Sequence, residues 1–135
     1  MHYINKPLEN GVILRRRVNP NTLMVEVSTN VPQNIKYHSP TGFEWGYAGS
    51  GPADLALNLA EQVVQKAELE TIQDAHCSAL AWHAKQTVKK LVVMPLPEAG
   101  GVIPWKLVCY AVLDACNEEN RTRLQKYIDE LILEI

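Results

Sequence analysis

The sequence predicts one α+β domain over residues 1–135, with an N-terminal antiparallel sheet covered by three or four C-terminal helices. Strand-like alternation is concentrated in the first third of the chain, and apolar residues at helical spacing dominate from Pro52 onwards. A chain of 135 residues fits a single domain with its own core.

Charge, cysteine content and hydropathy narrow the class of protein. A net charge of −2 argues against a general nucleic-acid-binding protein, which would carry a strongly basic surface. Three widely spaced cysteines without a CxxC pair are typical of a reducing compartment. The N-terminal residues lack an apolar segment of signal-peptide length, and no apolar run approaches the roughly 20 residues that span a bilayer. We therefore expect a cytoplasmic protein without a membrane partner.

The first third of the chain predicts a hairpin and two further strands. Residues 11–18 and 22–27 flank the turn-forming sequence NPN, and the alternating residues Leu23, Val25 and Val27 predict a half-buried strand. A short strand is expected over residues 35–38. A strand over residues 43–47 would place three aromatic side chains on one face: Phe43, Trp45 and Tyr47.

The rest of the chain predicts helices and one more strand. A helix from Pro52 would have a polar face, which consists of Asp54, Asn58, Glu61, Gln62 and Gln65. A second helix begins near the N-cap candidate Thr71. Residues 90–95 resemble a short strand and residues 98–101 a loop. Residues 104–116 form a third helix, and Asn117 caps the last one. That helix carries an apolar stripe: Leu124, Tyr127, Ile128, Leu131, Ile132 and Ile135.

Two pairs of potential metal ligands are spaced seven residues apart. His76 and His83 lie on the inward stripe of the predicted second helix, where a buried, hydrogen-bonded pair is favoured over a metal site that lacks further ligands. Cys109 and Cys116 are expected in the core rather than at zinc. The sequence therefore predicts no metal, no cofactor and no catalytic set.

The one basic run, at residues 15–17, has two interpretations. Arg15 and Arg17 share one face of a strand, and Arg16 faces the other way. The run either decorates a strand edge and so prevents unwanted pairing, or it helps to bind an anion.

The candidate site is the glycine-rich corner between the aromatic strand and the helix from Pro52. Its predicted ligand-binding residues are Trp45, Tyr47, Gly49, Ser50 and Gly51. Helix N-termini present unpaired N–H groups and partial positive charge, glycines allow close approach, and aromatic rings can stack on a base. The alternative is a purely structural corner, in which Pro52 starts the helix and Asp54 satisfies its N–H groups. The corner matches neither a P-loop nor GxGxxG.

The stretch HSPTGFEWGYAGSGPADLALNLA, residues 38–60, resembles a small bacterial and phage family of unknown function. Its members carry a sequence like SPxGFEWGYxGSGPADLAL. The similarity continues more weakly through residues 79–85, the segment LVVMPLP and Trp105. The family carries no known reaction or ligand. Its occurrence in phages and plasmids implies an accessory or host-interaction role.

Three functions from different classes follow from these features. The first is a non-enzymatic accessory protein of a phage or plasmid that binds a small anionic, nucleotide-like ligand or a host protein. The second is an enzyme acting on a nucleotide or phosphorylated metabolite. The third is a protein-interaction module that uses the last helix or an exposed strand edge.

Overall fold

A computed structural model describes residues 1–37, 42–74 and 76–133, without the side chains of Ile132 and Leu133. It confirms the α+β fold, with a four-stranded sheet and, in the part described, four α-helices. The elements in chain order are β1 (His2–Tyr3), β2 (Val12–Val18), β3 (Val25–Thr29), α1 (Ser50–Lys66), α2 (Ala79–Val88), β4 (Gly100–Ile103), α3 (Trp105–Leu113) and α4 (Glu118–Leu133).

The sheet has the strand order β1-β3-β2-β4 and is mixed rather than wholly antiparallel. The predicted β2–β3 hairpin is confirmed, and β1 adds to β3 in parallel. The fourth strand, which joins β2 antiparallel, lies between α2 and α3 in the chain, where a loop was predicted. Gly100 makes this possible, because its φ is +88° and a Cβ there would overlap the carbonyl oxygen of Leu14.

The hairpin extends beyond the core, so the inward orientation predicted for Leu23 and Val25 is wrong. Leu23 is 78% exposed, and its φ of +60° lies in the left-handed region. Asn19 organises the tip, because its Oδ1 accepts hydrogen bonds from the backbone N–H of Asn21 (2.8 Å) and of Thr22 (3.2 Å). The tip is thus an ordered turn whose apolar side chains lie in solvent.

The arginine run begins in the interior of the sheet, so its interpretation as an edge decoration is wrong for Arg15 and Arg16. β2 is flanked on both sides as far as Arg16, whose N–H donates to the carbonyl of Ala99, whereas Arg17 pairs with β3 alone. Arg15 and Arg17 are exposed on one face. Arg16 points to the other face, where its guanidinium carbon lies 4.5 Å from the centroid of the Trp45 ring.

The second helix begins later than predicted. Its N-cap is Ser78, whose Oγ accepts from the backbone N–H of Ala81 at 3.1 Å, and Thr71 Oγ1 accepts from the N–H of Leu80 at 3.0 Å. His76 therefore precedes the helix, and both His76 and His83 are exposed. The predicted buried histidine pair is wrong, because residues 76 and 77 are not helical and His76 lies outside the register of α2. The apolar spacing of the predicted second helix also places Ala75 on its inward stripe, and this residue lies outside the described residues.

Residues 89–93 form a π-helical turn rather than the predicted strand. The N–H of Met94 donates to the carbonyl of Lys89 at 2.8 Å, which is the five-residue spacing of a π-helix. Val92 and Val93 are buried within it. A buried apolar run of this length has no periodicity that separates the two structures.

The last two helices agree with the predictions. Asn117 Oδ1 accepts from the backbone N–H of Asn120 at 2.9 Å, as an N-cap does. Leu124 and Ile128 of α4 are fully buried. Cys109 and Cys116 are core residues, as expected, and all three cysteines are free. Ile135 lies outside the described residues.

The C-terminus of α1 yields the first prediction. Glu68 has a φ of +53°, and the N–H groups of Glu68 and Leu69 donate to the carbonyls of Gln65 and Val64, which together form a Schellman motif. Glycine adopts this conformation without the steric cost of a Cβ. We expect Glu68→Gly to raise the free energy of unfolding by about 1 kcal/mol in urea titrations. Glu68→Ala, which keeps the Cβ, is the matched control and should bring no such gain.

Candidate functional site

The segment before α1 forms no strand, so the strand predicted over residues 43–47 is wrong: residues 46–49 bend, and Gly46 has a φ of +85°. Phe43 and Trp45 point inward and are each 1% exposed. The indole Nε1 of Trp45 donates to the carbonyl oxygens of Pro97 (3.0 Å) and Glu98 (3.1 Å). Trp45 therefore connects this segment to the loop before β4. Its ring is packed in the core and is not a surface for stacking.

Three of the predicted site residues lie together at the surface. Tyr47 is 46% exposed, so it does not share the inward face of Phe43 and Trp45. Its ring packs against Gly49, where a Cβ would lie 2.6 Å from Tyr47 Cε2. Gly49 is the N-cap of α1, and Ser50 is the first helical residue. The structure thus brings Tyr47, Gly49 and Ser50 together.

Gly51, in contrast, is buried beneath Glu44. A Cβ on Gly51 would lie 2.8 Å from the Cβ of Glu44 and 3.2 Å from its Oε2. The carboxylate of Glu44 therefore lies against the first turn of α1, where the helix dipole favours a negative charge. An anionic ligand at this turn would meet a carboxylate already in place. The ligand-binding role of these five residues stays a prediction.

The polar face predicted for α1 is largely buried rather than exposed to solvent. Asp54, Asn58 and Glu61 are 0%, 2% and 6% exposed. We call these three residues the α1 polar seam. Sequence reasoning missed it because spacing alone cannot distinguish a solvated polar stripe from one that meets a second layer of protein.

Asn58 uses both ends of its amide. Oδ1 accepts from the backbone N–H groups of Asn34 and Ile35, both at 3.0 Å. Nδ2 donates to the carbonyls of Ile35 (2.9 Å) and Asp54 (2.8 Å). One side chain thus satisfies the backbone of residues 34–35. Of the strand predicted over residues 35–38, residues 35–37 form none, and His38 lies outside the described residues.

Glu61 holds the N-terminus of α2. Its Oε2 accepts from the backbone N–H of Ser78 at 3.0 Å and from Ser78 Oγ at 2.7 Å. Ser78 Oγ in turn accepts from the backbone N–H of Ala81. A buried carboxylate at a helix N-terminus is stabilised by the N–H groups and by the dipole.

An aromatic surface cluster lies on this side of the molecule. It consists of Tyr37, His76 and Trp82, and the centroid of the Tyr37 ring lies 5.3 Å from that of His76 and 4.9 Å from that of Trp82. Both contacts are edge-to-face, the geometry that aromatic pairs prefer. Lys85 packs against this cluster, with its Nζ 3.4 Å from the centroid of the Trp82 ring.

Backbone contacts fix the base of this cluster. Asp74 Oδ1 accepts from the N–H groups of His76 (2.9 Å) and Cys77 (3.1 Å), and these donors lower the pKa of Asp74. Burial lowers the pKa of Lys85. Burial also raises the pKa of the Cys77 thiol to about 11. The backbone contacts of Asp74 and the buried side chains of Lys85 and Cys77 therefore hold the region of the three rings in place.

These features define an α+β domain whose first helix is held by internal polar contacts and whose surface carries an aromatic cluster. The sequence pattern of one protein family matches residues 14–118. The chain belongs to that family, the family of unknown function DUF6166. A search of curated proteins and a search of solved structures each found no match. In the part of the chain that the structure describes, no helix is both long and apolar enough to cross a bilayer.

The α1 polar seam yields the second prediction. Asn58→Ala removes four hydrogen bonds and leaves the N–H groups of Asn34 and Ile35 without their acceptor. We expect a loss of about 2–4 kcal/mol in the free energy of unfolding, measured by chemical denaturation. Gln62→Ala, one turn along on the half-exposed side of α1, is the matched control and should change stability by less than about 1 kcal/mol. Equal losses in both variants would show that the amide contacts are not what holds residues 34–35.

Proposed function

We propose that this protein is a non-enzymatic accessory protein of a phage or plasmid-type element, and that it acts in the cytoplasm by binding a host protein. The resemblance of residues 38–60 to a family that occurs in phages and plasmids supports the origin. Three free, buried cysteines suit a reducing compartment.

Three buried groups that could be reactive, Glu61, Cys77 and Cys109, serve the fold. Glu61, one of the two buried carboxylates of α1, accepts hydrogen bonds from Ser78, the N-cap of α2. Burial raises the pKa of Cys77 to about 11 and that of Cys109 to about 12, so neither forms a thiolate nucleophile at neutral pH.

The aromatic surface cluster carries the proposal that the partner is a protein. Trp82 is 38% exposed and Tyr37 is 46% exposed. The two rings contact each other, and the Trp82 ring also contacts Lys85. Tryptophan and tyrosine dominate the energetic centres of protein interfaces, since they bury a large area and lose little conformational freedom. Because the cluster is already ordered, a partner would not have to arrange these rings on binding.

A small anionic ligand at Tyr47, Gly49 and Ser50 is the second candidate. One observation favours it: Gly49, the N-cap of α1, has no side chain with which to accept from the first N–H groups, and the Ser50 residue beside it is exposed. The carboxylate of Glu44 weakens this candidate, because it already lies against the same turn.

The third prediction tests the protein partner. A photo-crosslinking residue placed at position 86, an exposed position one turn after Trp82 on α2, should capture a host protein that the same residue at position 107, an exposed leucine of α3, does not. With the captured protein purified, Trp82→Ala should weaken binding about 30-fold or more in calorimetry, as an interface hot spot does. Leu107→Ala is the matched control and should bind like the wild type. Equal affinities of all three proteins would contradict the proposal.

The fourth prediction separates the two candidates. With a protein partner, a panel of nucleotides should leave the melting temperature unchanged. With an anionic ligand, one nucleotide should stabilise the protein in a saturable way, by roughly 2.7 kcal/mol at hundredfold excess over its dissociation constant. Ser50→Ala should then reduce that effect, and Glu44→Gln should increase it by removing the competing charge.

A further inference from the structure

Lys85 is a buried ammonium group that has no anionic partner in the described part of the chain. It is 9% exposed, and its Nζ lies against the face of the Trp82 ring. Among the described residues, Nζ takes part in no ion pair and donates no hydrogen bond. An aromatic face offsets part of the cost of burying a charge, but it gives the three N–H donors of an ammonium group no acceptor oxygen. These donors are therefore available to an anion from another molecule.

A second lysine adds to the positive charge around Lys85. Lys89 follows it by four residues, about 6 Å along the helix axis, so the two lie on the same face. Burial lowers the pKa of Lys85, and repulsion from Lys89 lowers it further. Attraction to the buried carboxylate of Asp54 acts in the opposite direction and is weaker. An anion bound beside both lysines would offset their repulsion.

The segment that carries Lys85 contains no acidic residue. Residues 75–97 include three lysines, at positions 85, 89 and 90, and neither aspartate nor glutamate. Lys89 is half-buried and Lys90 is exposed. The whole chain, in contrast, has a net charge of −2. This segment is thus a basic part of an acidic protein, and it favours a partner that carries negative charge at the point of contact.

The arrangement of the neighbouring rings favours a carboxylate of a protein over the phosphates of a nucleic acid. Proteins that bind single strands stack successive bases on the open faces of aromatic side chains. Here Lys85 covers one face of Trp82, and the planes of Tyr37 and Trp82 are inclined by 80°. The two rings therefore offer no common platform for successive bases. Their exposed parts suit the apolar side chains of a protein instead.

We propose that Lys85 and Lys89 bind a carboxylate of the partner protein, from an aspartate or a glutamate, while an apolar side chain beside it covers Trp82 and Tyr37. This rests on the proposed function, because it names the chemistry that a protein partner presents to the aromatic surface cluster. The rings supply the contact area. The lysines supply selectivity, because a partner without the carboxylate would leave the ammonium group of Lys85 buried and unpaired.

The fifth prediction compares stability with binding at Lys85. Lys85→Met keeps an unbranched side chain against the Trp82 ring and removes the buried charge. Its melting temperature should rise by a few degrees, because a buried ammonium group without an acceptor is unfavourable. Random short peptides selected on the wild type should combine an acidic with an apolar residue, and Lys85→Met should bind them about tenfold or more weakly in fluorescence anisotropy. Lys126→Met, at an exposed lysine of α4, is the matched control and should bind like the wild type.

The outcomes distinguish this inference from the proposed function. A lower melting temperature of Lys85→Met would overturn the inference, as would selected peptides that lack acidic residues or that bind Lys85→Met as they bind the wild type. If those peptides still lose affinity for Trp82→Ala, the proposed function stands and only the carboxylate fails. Binding of a single-stranded oligothymidylate that Lys85→Met abolishes would assign the lysines to phosphate and also overturn the inference. Peptides that bind Trp82→Ala and Lys85→Met equally well would contradict both proposals.

Discussion

The architecture depends on how α1 satisfies the polar side chains that it carries into the interior. An almost fully buried helix with Asp54, Asn58 and Glu61 on one face would be strongly destabilised if these groups lost water without gaining partners. Asn58 fixes residues 34–35, and Glu61 fixes the N-terminus of α2. These contacts give the buried polar groups of Asn58 and Glu61 hydrogen-bond partners. They also position residues 34–35 and the start of α2, the two segments next to the aromatic surface cluster.

The glycine corner illustrates how an apparent ligand signal can be structural. Trp45 joins the corner to the loop before β4, and Gly51 makes room for Glu44. Trp45, Gly51 and Gly49, which lies under the Tyr47 ring, thus have roles in packing that require no ligand. Ser50 is exposed, and its residue type has no such role in the fold.

Much of the fold could be predicted from the sequence, and most of the surface could not. The β2–β3 hairpin, α1, α3 and α4 each have a local signal: a turn, a stripe or a cap. β4 and the late start of α2 depend on partners far along the chain, Leu14 for Gly100 and Glu61 for Ser78. The aromatic surface cluster joins residues 37, 76 and 82, and no spacing in the sequence indicates that they meet. The family match over residues 14–118 covers the α1 polar seam and this cluster, and leaves out β1 and most of α4.

The late position of β4 has a consequence for synthesis. During translation β2 leaves the ribosome early, while the strand that flanks its other side is made only after α1 and α2. Until then the nascent chain carries a half-finished sheet whose apolar strand is exposed to pairing with other chains. Closing the sheet also brings together residues that are distant in sequence, which slows folding. The nascent protein is therefore most vulnerable to aggregation between the emergence of the hairpin and that of Ile103.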